Sequence, residues 1–162
     1  MERLLPLAAE VAELLKKRGE TVALSESSMG GLVSAVLVAQ PGASAFYLGS
    51  TVIYTRGAAK ALYALQGPPA PDVKPLTEPY VAAMADVVRQ KLGSTWALAE
   101  MGASGPSGSP YGPPPGTAVI GIAGPHPASI TVSTGSTDRA ANMYAFGEAA
   151  LRLLKDVLTR TA

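Results

Sequence analysis

A serine hydroxyl becomes a nucleophile where a neighbouring group takes its proton and where donors await the charge that develops on the attacked carbonyl. The stretch Ser25-Glu26-Ser27-Ser28-Met29-Gly30-Gly31 brings hydroxyls, a carboxylate and paired glycines together. It follows the apolar segment 21–24, and an apolar run resumes at Leu32, so the spacing predicts a strand, a tight loop and a helix N-terminus. Free backbone N–H groups at such a turn favour an anion or an oxyanion. The plainer alternative is that Ser27 or Ser28 caps the helix.

A proton acceptor for that serine must be a lysine or a carboxylate. The chain has no cysteine, and its single histidine, His126, lies in a Gly-Pro-His-Pro turn. Thiol nucleophiles, disulfides and thiolate or histidine-cluster metal sites are therefore excluded, and a Ser-His-Asp triad would hang on that one turn residue. Lys16, Lys17, Lys91 and Lys155 fall on or at the ends of amphipathic helices, which leaves Lys60 and Lys74. Lys60 follows a strand-like segment by six residues, near enough to reach a sheet edge; its alternative is an exposed helix lysine. Glu26 and Glu100 both fall at predicted strand ends. Facing each other they could do acid–base work or hold a metal, but the first reading is that each orients a neighbour or accepts backbone N–H bonds. Arg139, beside Asp138 at the start of the last helix, is either an anion contact or Asp138's partner.

The elements that must position these groups follow from periodicity. Leu4, Leu7, Val11, Leu14 and Leu15 predict a first helix ending near Arg18, with Gly19 as its stop. A strand at 21–24, the serine loop and a buried helix at 31–39 follow. Segment 46–54 has the composition of a core strand, and a short helix over 58–65 would carry Lys60. A proline-rich loop at 66–76 leads to a helix capped by Thr77 and closed by Gly93. A strand at 95–100 runs into the Gly/Pro-rich loop 101–116, too long to be a mere connector. Segments 117–123 and 129–134 predict an antiparallel pair, and Thr137-Asp138 cap a last helix with Met143, Leu151, Leu154 and Leu158 on one face. Tyr144 and Phe146 on that helix are candidates for a dimer face. This order predicts a three-layer α/β/α sandwich with a mixed, mostly parallel sheet, whose carboxyl edge carries both the Ser27 loop and the Gly102 loop.

Composition narrows the partners. The 162 residues, 48% hydrophobic and 15% charged, suit one globular domain over 1–162. Thirteen basic against twelve acidic residues, with no basic run beyond Lys16-Lys17-Arg18, leave no footprint for nucleic acid. The apolar run 32–39, interrupted by Ser34, is far short of the roughly 20 residues a bilayer needs. The acidic, amphipathic first segment is unlike a signal peptide. A cytoplasmic protein that takes a small neutral or anionic ligand, without nucleic acid or membrane, is the expectation.

The Ser25 to Gly31 string, with Tyr54 and Lys60, Gly102-Ala103-Ser104-Gly105-Pro106, Pro115-Gly116-Thr117 and Gly135 to Arg139, resembles the C-terminal domain of the CinA competence/damage-inducible family. The family pattern runs approximately A-E-S-C-T-G-G, Y-S-N-x-x-K, G-I-A-G-P, P-V-G-T-V and G-D-R, in the same order along nearly the whole chain. The family includes nicotinamide-nucleotide amidases, three-layer α/β domains that are often dimeric and convert nicotinamide mononucleotide and water to nicotinate mononucleotide and ammonia. The resemblance implies Ser27 as nucleophile, Lys60 as its base and Tyr54 nearby. Glu26, Ser28, Met29, Gly30, Gly31, Gly102, Ala103, Ser104 and Gly105 would line the nucleotide, and backbone N–H groups of 29–31 would hold the oxyanion. Arg139 would meet the phosphate, and no metal or cofactor is implied. The chain departs from the pattern at Ser28-Met29, in the longer spacing from Tyr54 to Lys60, at Glu100-Met101, and at Ser136-Thr137. These departures leave Lys60, Lys74 and Glu100 as candidate bases. They also support an alternative: a catalytically inactive relative that binds a small ligand or nucleotide, or assembles with itself.

Overall fold

Small and branched apolar residues fill β1 (Val22–Glu26), β3 (Trp96–Ala103) and β4 (Thr117–Ala123), and these strands take the middle of the sheet. The computed structural model describes residues 1–66 and 72–160 of the chain. With β2 (Tyr47–Val52) and β5 (Ala128–Ser133) the sheet order is β2-β1-β3-β4-β5. β1 and β4 are buried at every position because helices cover both faces. Alternate residues point to opposite sides. Leu24, Leu98, Ile120 and Ile122 meet α1 (Leu5–Arg18), α2 (Leu32–Val38) and α5 (Arg139–Arg160) in one core, while Ala23, Ala97, Ala99 and Val119 meet Val81, Met84, Ala85 and Val88 of α4 (Glu78–Leu92) in the other. The expected three-layer α/β/α sandwich is thus observed.

Several boundaries differ from expectation. The pairings β1–β2 and β1–β3 are parallel and β3–β4 and β4–β5 antiparallel, so the sheet is mixed as expected, with β4 the one strand that runs against the others. β2 is an edge strand with alternating half-buried and exposed residues; Leu48 and Val52 stand exposed, and of the expected core segment Phe46 and Ile53 are buried. β3 does not stop at Glu100, because Met101, Gly102 and Ala103 continue the ladder opposite Val119, Ala118 and Thr117. α3 spans Arg56–Gln66, longer than the predicted helix. Part of the predicted loop 66–76 falls outside the described residues. Thr77 sits at the N-cap of α4 but spends its hydroxyl on the Lys74 carbonyl. Phe146 is wholly buried in the core and supplies no dimer face.

β1, β2, β3 and β5 all run the same way, so the segments that follow them leave one edge of the sheet. Those segments are 27–31, 53–55, 104–116 and 134–138. Asn142 ties two of them to α5: its Nδ2 donates to the carbonyls of Ser104 (2.8 Å) and Ser136 (2.9 Å), and its Oδ1 accepts from the Thr134 hydroxyl. Asp138 caps the helix by accepting from the Ala141 N–H (3.0 Å). Among the described residues no helix is long and apolar enough to cross a membrane.

Asn142 is 1% and Ser104 2% exposed, so the Ser104 carbonyl has no water to turn to, whereas Ser136 is half-buried and Thr134 exposed. Asn142→Ala leaves the buried Ser104 carbonyl unpaired, while water can reach the Ser136 carbonyl and the Thr134 hydroxyl, and it lowers the unfolding free energy by about 1–3 kcal/mol. Urea unfolding measures this, and an unchanged midpoint would show that the tie carries no stability.

Candidate active site

Three loops at the carboxyl edge, with residues of α3, α4 and the start of α5, enclose a cavity of about 440 Å³. Its lining includes Ser27 and Ser28 from the first loop, Tyr54 and Arg56 after β2, 102–105 and 107–111 from the end of β3 and the loop beyond, and Arg139 from α5. Tyr80 and Met84 of α4 lie along it. Ser27 and Ser28 are 7% and 3% exposed, so their hydroxyls belong to an almost closed floor.

That floor is held from behind by two buried carboxyl groups. Glu26, the last residue of β1, accepts from the N–H groups of Val33 (3.2 Å) and Ser34 (2.8 Å) and from the Ser34 hydroxyl. It thereby satisfies the first turn of α2, whose N-cap residue Gly31 has no side chain to do so. Glu100, in the neighbouring strand, accepts from the N–H groups of Ser27 (3.0 Å) and Met29 (3.1 Å) through one oxygen and from the Ser28 hydroxyl through the other. The first reading of both glutamates, as acceptors of backbone N–H bonds, describes this arrangement. Burial pushes the Glu100 carboxyl up to about 7; the three hydrogen bonds pull the other way, and the charge of Glu26 adds to the rise.

Gly102 has to be glycine for the same reason. A Cβ there would lie 2.5 Å from the Ser28 oxygen and 3.0 Å from the Thr117 carbonyl. Ser104 completes the support by donating to the Ser28 carbonyl (3.3 Å).

The residues predicted from sequence divide into two groups. Ser27, Ser28, Tyr54, Gly102, Ala103, Ser104, Gly105 and Arg139 meet at the cavity. Glu26, Met29, Gly30 and Gly31 lie behind it. Met29 is 0% exposed in the core, and a side chain on Gly30 or Gly31 would point at Met143 or Val52. Two of the three expected oxyanion donors are engaged, since the Met29 N–H bonds Glu100 and the Gly30 N–H bonds the Ser27 carbonyl (3.1 Å). Lys60 is exposed and outside the lining: its predecessor Ala59 faces the cavity, and one residue further the helix has turned by about 100°. Lys74 is likewise exposed, near Gly112. Of the three candidate bases, Glu100 alone is hydrogen-bonded to a residue of the floor.

Cations stand at the mouth. Arg139 donates to the Gly105 carbonyl (2.7 Å) and to the Tyr54 hydroxyl, with its guanidinium 5.6 Å from the Tyr54 ring centre. Arg56 does the same with Tyr111, donating to its hydroxyl at 3.2 Å and lying 5.1 Å from its ring centre. No carboxylate is among the lining residues, so an anion meets two cations there. Arg56, Tyr111 and Asn142 were not identified from sequence. The arginine stands directly after Tyr54-Thr55, where the family pattern carries Asn, and that substitution was the available signal.

Comparison with known proteins gives the family and the fold. The family model described as CinA C-terminal domain matches residues 4–158. A CinA-like protein of Prochlorococcus marinus is 40% identical over 120 residues, covering 74% of this chain and 28% of that protein. A CinA-like protein of Desulfosudis oleivorans is 36% identical over 93% of this chain and 37% of its own length. The chain thus matches only 28% and 37% of the lengths of these relatives. The crystal structure of a competence-damaged protein (CinA) superfamily protein from Klebsiella pneumoniae superposes with a TM-score of 0.86 at 24% identity, covering 96% of this chain and 98% of that one; at that identity it shows the shared fold.

The raised Glu100 pKa has a consequence for stability. Folding favours its neutral form, so its contribution is full below about 4.5 and is lost as pH rises through about 7. The loss amounts to about 3 kcal/mol. Glu100→Gln keeps the oxygen facing the two N–H groups and offers an N–H to Ser28, so its stability stays level between pH 5 and pH 8 while that of the wild type falls. Urea unfolding across that range tests this, and parallel curves for the two proteins would refute it.

Proposed function

Since the chain belongs to the CinA C-terminal domain family, we propose that it is an amide hydrolase of the nicotinamide-nucleotide amidase type, acting on nicotinamide mononucleotide. The observation that carries this reading is the Ser27 hydroxyl, which has no hydrogen-bond partner among the described residues and faces a cavity whose mouth holds two arginines. A ligand with an anionic phosphate and a neutral carboxamide matches that polarity, with the phosphate at Arg139 and Arg56 and the carboxamide on the serine floor.

In this reaction Ser27 Oγ forms a bond to the carboxamide carbon and gives up its proton. The carbon–nitrogen bond then breaks, the nitrogen takes a proton and leaves as ammonia, and water releases the acyl group to restore the hydroxyl. Arg139, fixed by Gly105 and Tyr54, orients the phosphate so that the carbonyl carbon meets Ser27.

A second reading is favoured by the exposed Lys60 and by the engagement of the Met29 and Gly30 N–H groups: a module that binds the same nucleotide without hydrolysing it. Ammonia release from nicotinamide mononucleotide separates the two. The amidase reading expects release by the wild type, its loss in Ser27→Ala, and a KM raised about tenfold or more in Arg139→Met. Nucleotide binding by the wild type without release of ammonia rejects the amidase and leaves the binding module.

A further inference from the structure

Ser28 differs from Ser27 in having its hydroxyl already committed. It lines the cavity on one side and bonds a fully buried carboxyl group on the other. A hydroxyl has one proton, so what Ser28 gives to Glu100 it cannot give to a ligand. With Glu100 ionised, Ser28 donates to it, and the lone pairs of Ser28 are what the cavity meets. With Glu100 neutral, the acid proton is donated to Ser28, and Ser28's own proton turns to the cavity. The other Glu100 oxygen accepts from the Ser27 and Met29 N–H groups in both states, so the loop itself need not move.

We propose that Glu100 is a positioning residue which, through Ser28, sets whether this site accepts an amide or a carboxylate ligand. This rests on the nucleotide-amide reading above. A carboxylate has acceptors only, so it fits Ser28 only when Glu100 is neutral and Ser28 donates. An amide carries N–H donors as well as a carbonyl and finds a partner in either state. Ionised Glu100 therefore admits the amide substrate and disfavours the acid product, which shares its charge.

The surroundings isolate this switch. Glu26 on β1 is the charged group that acts on Glu100. Opposite it on β4 stands Ile120, α2 contributes Ser34 bonded to Glu26, and the Arg139 guanidinium at the start of α5 is held by Gly105 and Tyr54. With its midpoint at about 7, the carboxyl changes state within the ordinary working range of pH.

The test compares binding of nicotinamide mononucleotide and nicotinate mononucleotide at pH 6, 7 and 8, in the full chain carrying Ser27→Ala to prevent turnover. Both ligands carry the same phosphate, so its titration cancels in the ratio of their affinities. The acid should gain about tenfold relative to the amide from pH 8 to pH 6, and Glu100→Gln should hold the ratio at its low-pH value. Calorimetry at pH 7 in two buffers, without the Glu100 substitution, should show net proton uptake on binding the acid beyond that seen with the amide. A ratio independent of pH, or equal proton uptake, overturns the proposal while leaving the amidase reading intact. Failure of nicotinamide mononucleotide to bind overturns that reading and this proposal with it, and failure of the acid alone to bind at pH 6 overturns this proposal only.

Discussion

The serine loop is shaped by one carboxyl group. Glu100 gathers two backbone N–H groups and a hydroxyl from three consecutive residues, and it does so from the middle of a strand that is otherwise apolar. A tight loop of small residues has little side-chain packing to fix it, so its conformation has to come from hydrogen bonds made deep in the molecule. Burying a charge is costly, and the cost is met partly by the three donors and partly by favouring the neutral state. Glu26 serves the next element, α2, from the neighbouring strand. Two adjacent glutamates thus replace the N-caps and loop packing that the local sequence lacks.

These anchors also explain which residues face the cavity. With Met29 turned into the core and its N–H fixed by Glu100, the chain can present only Ser27 and Ser28 outward before Gly30 and Gly31, at φ of 67° and 90°, lead it into α2. The missing Cβ of Gly102 leaves room for Ser28. Asn142 then fixes the carbonyl of Ser104 opposite. Floor and wall are each tied by a buried polar group reaching across from a different element, beside the hydrogen bonds that the longer loops make within themselves.

Much of the architecture was legible because the periodicities were clean: α1 ends at Arg18 with left-handed Gly19 behind it, and β4 covers 117–123 as expected. The failures share a cause. β2 has core-strand composition, yet its place at the sheet edge is a matter of topology that composition does not encode. Met101, Gly102 and Ala103 read as loop because glycine and small residues mark turns, while their pairing to β4 is a long-range fact. Ser27, Tyr54 and Arg139 were identified through motif types, and Lys60 by the same route. Lys60 lies outside the cavity lining because spacing along a helix fixes distance from the sheet edge but not the angle around the axis. Glu100 was noticed as a carboxylate at a strand end, but its donors come from a segment more than seventy residues away.

The electrostatic layout argues for a direction of ligand entry. The buried glutamates lie beneath the serine floor, and the two arginines lie at the mouth, each laid against a tyrosine that holds it in place without neutralising it. A ligand with its anionic group at the mouth and its neutral end on the floor meets favourable charge at one end and hydroxyls at the other. The reverse orientation sets an anion above Glu26 and Glu100 and far from both cations, at an energy that grows as water is excluded. The same field opposes a product whose newly formed carboxylate sits on the floor, so hydrolysis there would create a charge the site is built to expel. On the proposed amidase reading, release of the acid product is favoured by the same two glutamates that hold the loop in shape.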